Sequence, residues 1–502
     1  MARLIGIDVG TTSVKGGVFD EDGNTLATAT TPSDTEIPTY SSHDGVWSEQ
    51  DPEDWRNHSK ENIRTLVEKA GISPDDEVFI GVSGQMHGGV FLDEKGKPVR
   101  KAIIWNDTRT GEEAKSISEI YGKNVGHFTV AKGLWLRVNE SYTFARAKTM
   151  FLPEDYVVFK LTGKRSTTTQ GLSQMRAWDF SKAARDVDLL NDLGLSHLIP
   201  QVLPNMAHHA RLTDEVADEL GLKRGTLVTA RLGDQESAST GVGAVEIGYA
   251  SLNSGTSGII DVVTDSNTDF AENGIYKFLQ ANNLGLLVAC TFGCGSSYQY
   301  ARDAFGRDLK MGAKPYILMD LAAAEAPPGA GGIIFLPYGN GGDRSPIDDN
   351  TIRGAFLGID YGLYTEKEQG KQREYLLRAV LEGIAHSFRH NQEVLAKHGI
   401  TLKKLRAAKT GVLSSDLFAQ MVSDHLGVPI EFVDTEGGCF GVALAAGVGG
   451  GVYPSIEKAC ETTIKPTHTV TPIPENRGVL TDGYNRYIQC YEALAPVFAD
   501  KK

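Results

Sequence analysis

No apolar stretch in this 502-residue chain approaches the roughly 20 residues that cross a bilayer as a helix, although 41% of the residues are hydrophobic. A secretory signal is not expected either, because Asp8 interrupts the first apolar run after a few residues. No long run of Lys and Arg exists. The net charge of −14 comes from 50 basic and 64 acidic side chains, and a nucleic-acid partner would need clustered phosphate-neutralising cations. Nucleotides stay open, since backbone donors and a metal ion can hold them. Cysteines number only 5 and show no C-x-x-C spacing, which suits reduced, packed thiols in a cytoplasmic protein. Cys290 and Cys294 have no histidine partners nearby in sequence and make a poor zinc pair. The phosphate-binding signature G-x-x-x-x-G-K-[ST] is absent, which excludes a P-loop kinase by motif. No linker is proline-rich or of low complexity.

What is present is a long α/β pattern that restarts. The length exceeds what one core usually supports, so two large domains are expected, residues 1–245 and 246–502, with the boundary between Ala244 and Gly248. The first hundred residues read strand, strand, strand, helix, strand. Asp51-Pro52-Glu53-Asp54 starts the helix: Asp as N-cap, Pro at the first helical position, acids in the first turn. The helix runs to about Ala70 and the strand Val78 to Val82 follows. At Tyr249 the order of run, Gly-Thr turn, run begins again, through Asn253-Ser254-Gly255-Thr256-Ser257 into Gly258 to Val263. Further helices are expected over Glu374 to Ala396, Asp416 to Leu426 and Phe440 to Gly447. The halves are expected to pack closely around a cleft.

The opening hairpin carries the first chemistry. Leu4-Ile5-Gly6-Ile7-Asp8-Val9 ends in a carboxylate, turns on Gly10-Thr11-Thr12-Ser13, and resumes as Val14 to Asp20. A Gly between short polar residues lets backbone N–H groups converge on an anion. Thr11, Thr12 and Ser13 add hydroxyl donors, and Asp8 can hold a metal ion or its water. The alternative is an ordinary hairpin with a Gly-rich turn.

Asp234 follows the β-rich run Gly225 to Ala230, where a strand end would aim a carboxylate into a cleft, and Gln235 beside it offers an amide. Ser83-Gly84-Gln85-Met86-His87-Gly88 follows the strand at 78–82 and combines donors, acceptors and an apolar wall. Together with Trp47-Ser48-Glu49-Gln50-Asp51-Pro52, Trp105-Asn106-Asp107, Phe335-Leu336-Pro337-Tyr338 and Glu436-Gly437-Gly438-Cys439-Phe440-Gly441, these segments resemble the FGGY carbohydrate kinases nearly end to end. The segment 83–88 resembles the xylulokinase branch. The resemblance implies two actin-like, ribonuclease-H-like ATPase domains with a cleft between them. It implies phosphoryl transfer from ATP with Mg2+ to a small sugar, and it leaves room for a homodimer.

By that resemblance Asp234 is the base that deprotonates the acceptor hydroxyl, whereas in isolation Gly-Asp is also an ordinary turn. Arg231 and Leu232 stand where the family has small residues. Gln85, Met86, His87, Trp105, Asp107 and Gln235 are the implied sugar contacts; Trp105 could equally be a core tryptophan and His87 a structural one. Gly255, Thr256 and Ser257 resemble the loop at the terminal phosphates. At the adenosine loop only Gly411 and Ser415 fit, and Thr410, Val412 and Leu413 add side chains where a purine would approach the backbone. The leading expectation is a kinase making D-xylulose 5-phosphate from D-xylulose. L-xylulose, ribulose or erythritol as acceptor, and a weakly active actin-like nucleotide-binding relative, are the alternatives.

Overall fold

The computed structural model describes residues 2–267, 269–306, 314–339, 344–361, 371–435 and 437–499. Glu436 of the expected 436–441 segment lies outside them. Local signals set the first elements. The Asp51 carboxylate accepts from the Glu53 N–H at 3.0 Å and opens helix α1 (Pro52–Ala70), which Gly71 closes at φ 62°. Trp55, Ile63 and Leu66 on one face of α1 are buried, packed against the first sheet.

That sheet contains β1 (Ala2–Val9), β2 (Val14–Phe19), β3 (Thr25–Thr31), β4 (Glu77–Gly84), β5 (Met206–Arg211) and β6 (Leu227–Gly233), in the spatial order β5-β6-β4-β1-β2-β3. The hairpins β1–β2 and β2–β3 are antiparallel, β4 lies parallel to both β1 and β6, and β5 closes the edge antiparallel to β6. Helix α2 (Thr129–Asn139) lies in the insertion after β4, and α3 (Asp234–Gly241) leaves the end of β6 directly.

The second sheet repeats this arrangement. β7 (Tyr249–Ser254), β8 (Gly258–Thr264), β9 (Ala271–Glu272), β10 (Ile275–Leu279), β11 (Gly285–Thr291), β12 (Lys404–Ala408), β13 (Ile430–Val433) and β14 (Pro466–Val470) lie in the order β9-β10-β11-β8-β7-β12-β13-β14. From β11 to β14 the pairing runs antiparallel, antiparallel, parallel, parallel, antiparallel, as it does from β3 to β5. Helices α4 (Gln372–Lys397) and α5 (Asp416–Leu426), between β11 and β13 in the chain, bury one face of it.

Helix α6 (Gly438–Gly449) follows the second sheet's β13 but lies on the first sheet, against β1, β4, β6 and α3. The approach is backbone to backbone. A methyl at Gly6 would overlap the Cys439 carbonyl, one at Gly81 the Val442 carbonyl, and one at Gly441 the Ser237 carbonyl. The halves also meet over residues 86–87, where Met86 and Phe128 join Val263, Tyr276, Phe278, Leu286 and Val288 in one buried cluster. Among the described residues no cysteine forms a disulfide; Cys490 is half-buried and the other four are buried. Among the described residues no helix is long and apolar enough to cross a membrane.

Candidate active site

Strand register brings the two chemistry-bearing carboxylates together. Asp8 of β1 pairs with Ser83 of β4, and Gly233 of β6 pairs with Gly84. Asp8 and Asp234 therefore flank the carboxyl end of β4, the edge where open α/β sheets place their ligands. The Ser83 hydroxyl donates to Asp8 Oδ1 at 2.8 Å. Gln235 Nε2 lies 3.2 Å from Asp234 Oδ1, while Gln235 Oε1 is buried without a hydrogen-bond partner. Burial, and then the neighbouring charge of Asp8, raises the Asp234 carboxyl to about 7. Burial also raises Asp8, opposed by the Ser83 hydroxyl and Lys15. A carboxylate poised near neutrality is suited to take a proton from an alcohol.

The start of α6 faces Asp8. A methyl on Gly438 would stand 3.2 Å from Asp8 Oδ2, so glycine keeps that side of the carboxylate clear. No group of three or more His, Cys, Asp or Glu side chains among the described residues is arranged to hold a metal. One carboxylate with phosphate and water oxygens is what Mg2+ commonly accepts, and Asp8 fits that role.

The hairpin turn differs from the expectation of converging amides at one point. The Gly10 N–H donates within the turn, to the Ser13 carbonyl at 3.0 Å, because the turn must close β1 onto β2. Thr12 is exposed and Ser13 half-buried, leaving their hydroxyls as the donors nearest solvent. Thr11 faces another way: Trp105 Nε1 donates to its hydroxyl at 3.0 Å, and that hydroxyl lies 3.3 Å from Gln85 Oε1. Gln85 is itself buried, its Nε2 donating to Gln50 Oε1 at 2.8 Å. Gln85 thus braces Thr11 and offers no free amide of its own.

Trp105 is 47% exposed, so it is no core residue; its indole stands at the surface with a free face beside Thr11. Asp107 is fully buried, and its carboxylate is occupied by Arg109 and by the Ser48 N–H at 2.6 Å. That pairing makes it a brace of the 105–109 turn rather than an open sugar contact. His87 takes φ 63° and is only 6% exposed. Its ring stacks on Phe128 at 3.9 Å, with Phe278 at 5.1 Å. Met86 lies in the same cluster, near Gly233. His87 Nδ1 lies 3.3 Å from the Gln174 carbonyl. A carbonyl only accepts, so Nδ1 carries the hydrogen. Burial, then the Arg344 and Lys132 charges, push the imidazole well below the usual histidine range, and neutral His87 keeps an accepting lone pair on Nε2.

Sequence reasoning missed Ser83, Lys132, Gln174, Phe278 and Arg344. Their spacing gives no signal, and only the tertiary fold brings them beside 86–87 and 234. Ser83 alone was within a quoted segment.

A separate cavity of about 260 Å³ is lined by Gly255 and Thr256 from the β7–β8 turn, by Gly411 and Ser415, and by Tyr298, Gln299, Tyr316 and Asp320. Ser257 is not among its lining residues. Ser254 ties the two loops: its hydroxyl donates to the Thr410 carbonyl at 3.1 Å and accepts from the Leu413 N–H at 2.9 Å. Of the side chains expected to crowd this loop, Leu413 turns away, Val412 keeps an edge on the cavity and Thr410 is exposed. A 3-10 turn over Gly411–Ser414 directs Leu413 into the second core, where it is fully buried, and Val412 joins the same core with an edge on the cavity wall. Ser415 caps α5 through the Phe418 N–H. Tyr298, Tyr316 and Asp320 carried no sequence motif.

Known proteins resemble this chain over nearly its whole length. Residues 3–241 match the model of the FGGY family of carbohydrate kinases, N-terminal domain, and residues 250–450 match that of its C-terminal domain. A xylulose kinase of Staphylococcus epidermidis is 28% identical over 499 residues, covering 98% of this chain and 96% of that protein. The crystal structure of a xyloylose kinase from Brucella ovis superposes with a TM-score of 0.87 at 28% identity, covering 99% of this chain and 100% of that one. A gluconate kinase structure from Lactobacillus acidophilus reaches a TM-score of 0.88 at 24% identity, with both chains covered at 100%, a likeness of fold.

Proposed function

Because the chain belongs to the FGGY family of carbohydrate kinases, we propose that this sugar kinase phosphorylates a ketopentose, D-xylulose first, to give D-xylulose 5-phosphate. The observation that carries the chemistry is Asp234 held at about 7 beside Asp8 at the end of three parallel strands. The choice of sugar is supported by relatives named xylulose kinase and by Met86-His87.

In this reading Asp234 takes the proton of the acceptor hydroxyl as its oxygen bonds to the γ-phosphorus and the β–γ bridging oxygen leaves with ADP. His87 Nε2 and the unpartnered Gln235 Oε1 accept from other hydroxyls, Met86 forms the apolar wall, and the exposed face of Trp105 covers the carbon chain. Thr12 and Ser13 donate to phosphate oxygens. The nucleotide occupies the cavity between the 255–256 turn and the 411–415 loop, its purine against Tyr298 and Tyr316. Mg2+ bound with ATP, with Asp8 as the protein's ligand, would neutralise charge on the phosphates. Residues 1–245 then form the sugar domain and 246–502 the nucleotide domain.

A coupled ADP-release assay across D-xylulose, L-xylulose, ribulose, erythritol and gluconate tests the reading. D-xylulose should give the highest kcat/KM. A higher value for another acceptor replaces the substrate, and ADP release that no acceptor stimulates removes the kinase reading.

A further inference from the structure

His87 is held from behind by one helix. Thr129 of α2 donates its hydroxyl to the Gly88 carbonyl at 3.1 Å. One turn on, Lys132 Nζ donates to the His87 carbonyl at 2.8 Å and also to the His127 carbonyl. Phe128, which precedes α2, supplies the ring on which the imidazole stacks. Lys132 is fully buried. No carboxylate among the described residues forms an ion pair with it, and Asp107 acts on it only through its field. A buried ammonium that meets only carbonyl dipoles is costly to keep, and burial lowers the Lys132 amine to about 7; charged or neutral, it donates to the carbonyl. A backbone at φ 63° is one that side-chain-bearing residues rarely hold without support. The two features meet at a single hydrogen bond, on the residue whose ring is packed between Phe128 and Phe278.

We propose that Lys132 is a positioning residue for sugar recognition: its ammonium grips the His87 carbonyl, and through it fixes the imidazole as a neutral acceptor that only a hydroxyl of the sugar can satisfy. This rests on His87 touching the sugar, as read above. Burial first, and then the charges of Arg344, Lys132 and Arg176, disfavour an imidazolium. The Nδ1 hydrogen is spent on Gln174, so Nε2 can only accept. A carbonyl or carboxylate oxygen placed opposite would meet lone pair to lone pair. The site therefore selects a carbon bearing a hydroxyl at that position and refuses an oxidised one.

The test compares Lys132→Met, Lys132→Gln, His87→Ala and the double variant with the wild type, using D-xylulose and MgATP. Lys132→Met should raise the D-xylulose KM about tenfold with the MgATP KM unchanged. Lys132→Gln, whose amide can still donate to a carbonyl, should recover part of that loss. The double variant should be no worse than His87→Ala, because both remove one contact. In 13C-histidine-labelled protein, the His87 resonance, assigned by its loss in His87→Ala, should titrate at higher pH in Lys132→Met. A D-xylulose KM within twofold of wild type in both Lys132 variants, or additive losses in the double variant, overturns the proposal. If His87→Ala itself leaves that KM unchanged, the sugar contact fails first, and that arm alone reveals it. Met keeps the chain length but leaves the His87 and His127 carbonyls without their donor, so the variant is expected to fold with a modestly lower Tm. Were it not to express, the KM of Lys132→Gln decides.

Discussion

Asp8 and Asp234 stand far apart in the sequence but are separated by a single strand of the sheet, and the charge of Asp8 is, after burial, what raises the Asp234 carboxyl. With the Asp234 carboxyl near 7, the group must lose its proton before it can accept one. The sugar kcat/KM should thus rise with pH through about 7 and fall about tenfold per unit below it. Asp8→Asn removes the neighbouring charge, so the acid limb should move to lower pH even as turnover drops. An acid limb unmoved in Asp8→Asn would separate the two carboxylates. At this scale the sequence was informative wherever a side chain sits at a strand end. Asp8, Met86, His87 and Asp234 could be picked out because apolar runs lead into them. Lys132 and Arg344 could not, since each acts across a contact between segments far apart in the chain. Asp107 was expected from the resemblance to be a sugar contact, but Arg109, two residues on, consumes its carboxylate.

Elements were read well where a cap announced them. Asp51 and Pro52 start α1 as expected, α5 spans Asp416–Leu426 as its pattern indicates, and the run–turn–run at 251–263 is the β7–β8 hairpin. At the 409–415 loop the sequence names the side chains but not the turn that aims them, which sends Leu413 into the core and leaves Val412 an edge on the cavity. Gly411 sits at φ 58°, where a methyl would overlap the Ser254 carbonyl, and this single residue lets the 3-10 turn fold Leu413 inward. Gly411→Ala should therefore cost about 1–2 kcal/mol in stability from the left-handed backbone. It should also raise the MgATP KM several-fold while sparing that of the sugar. An unchanged MgATP KM would detach this loop from nucleotide binding.

For the whole molecule, the restart at Tyr249 was visible in the sequence as a weak internal echo, and the two sheets share one order of pairings. What the sequence could not convey is that α6 crosses to lie on the first sheet, because that depends on glycines in β1, β4 and α6 meeting backbone to backbone. This crossing sets the start of α6 against Asp8, so the second half of the chain helps to shape the centre built on the first. In the proposed reaction, phosphoryl transfer depends on one carboxylate accepting the sugar proton. Asp234→Asn preserves size and removes the base, and comparing its single-turnover D-xylulose phosphorylation with that of the wild type is the most direct test. The rate should fall by roughly 10²–10⁴ with the sugar KM little changed; a rate within a few-fold of wild type would contradict the assignment of Asp234 as the base.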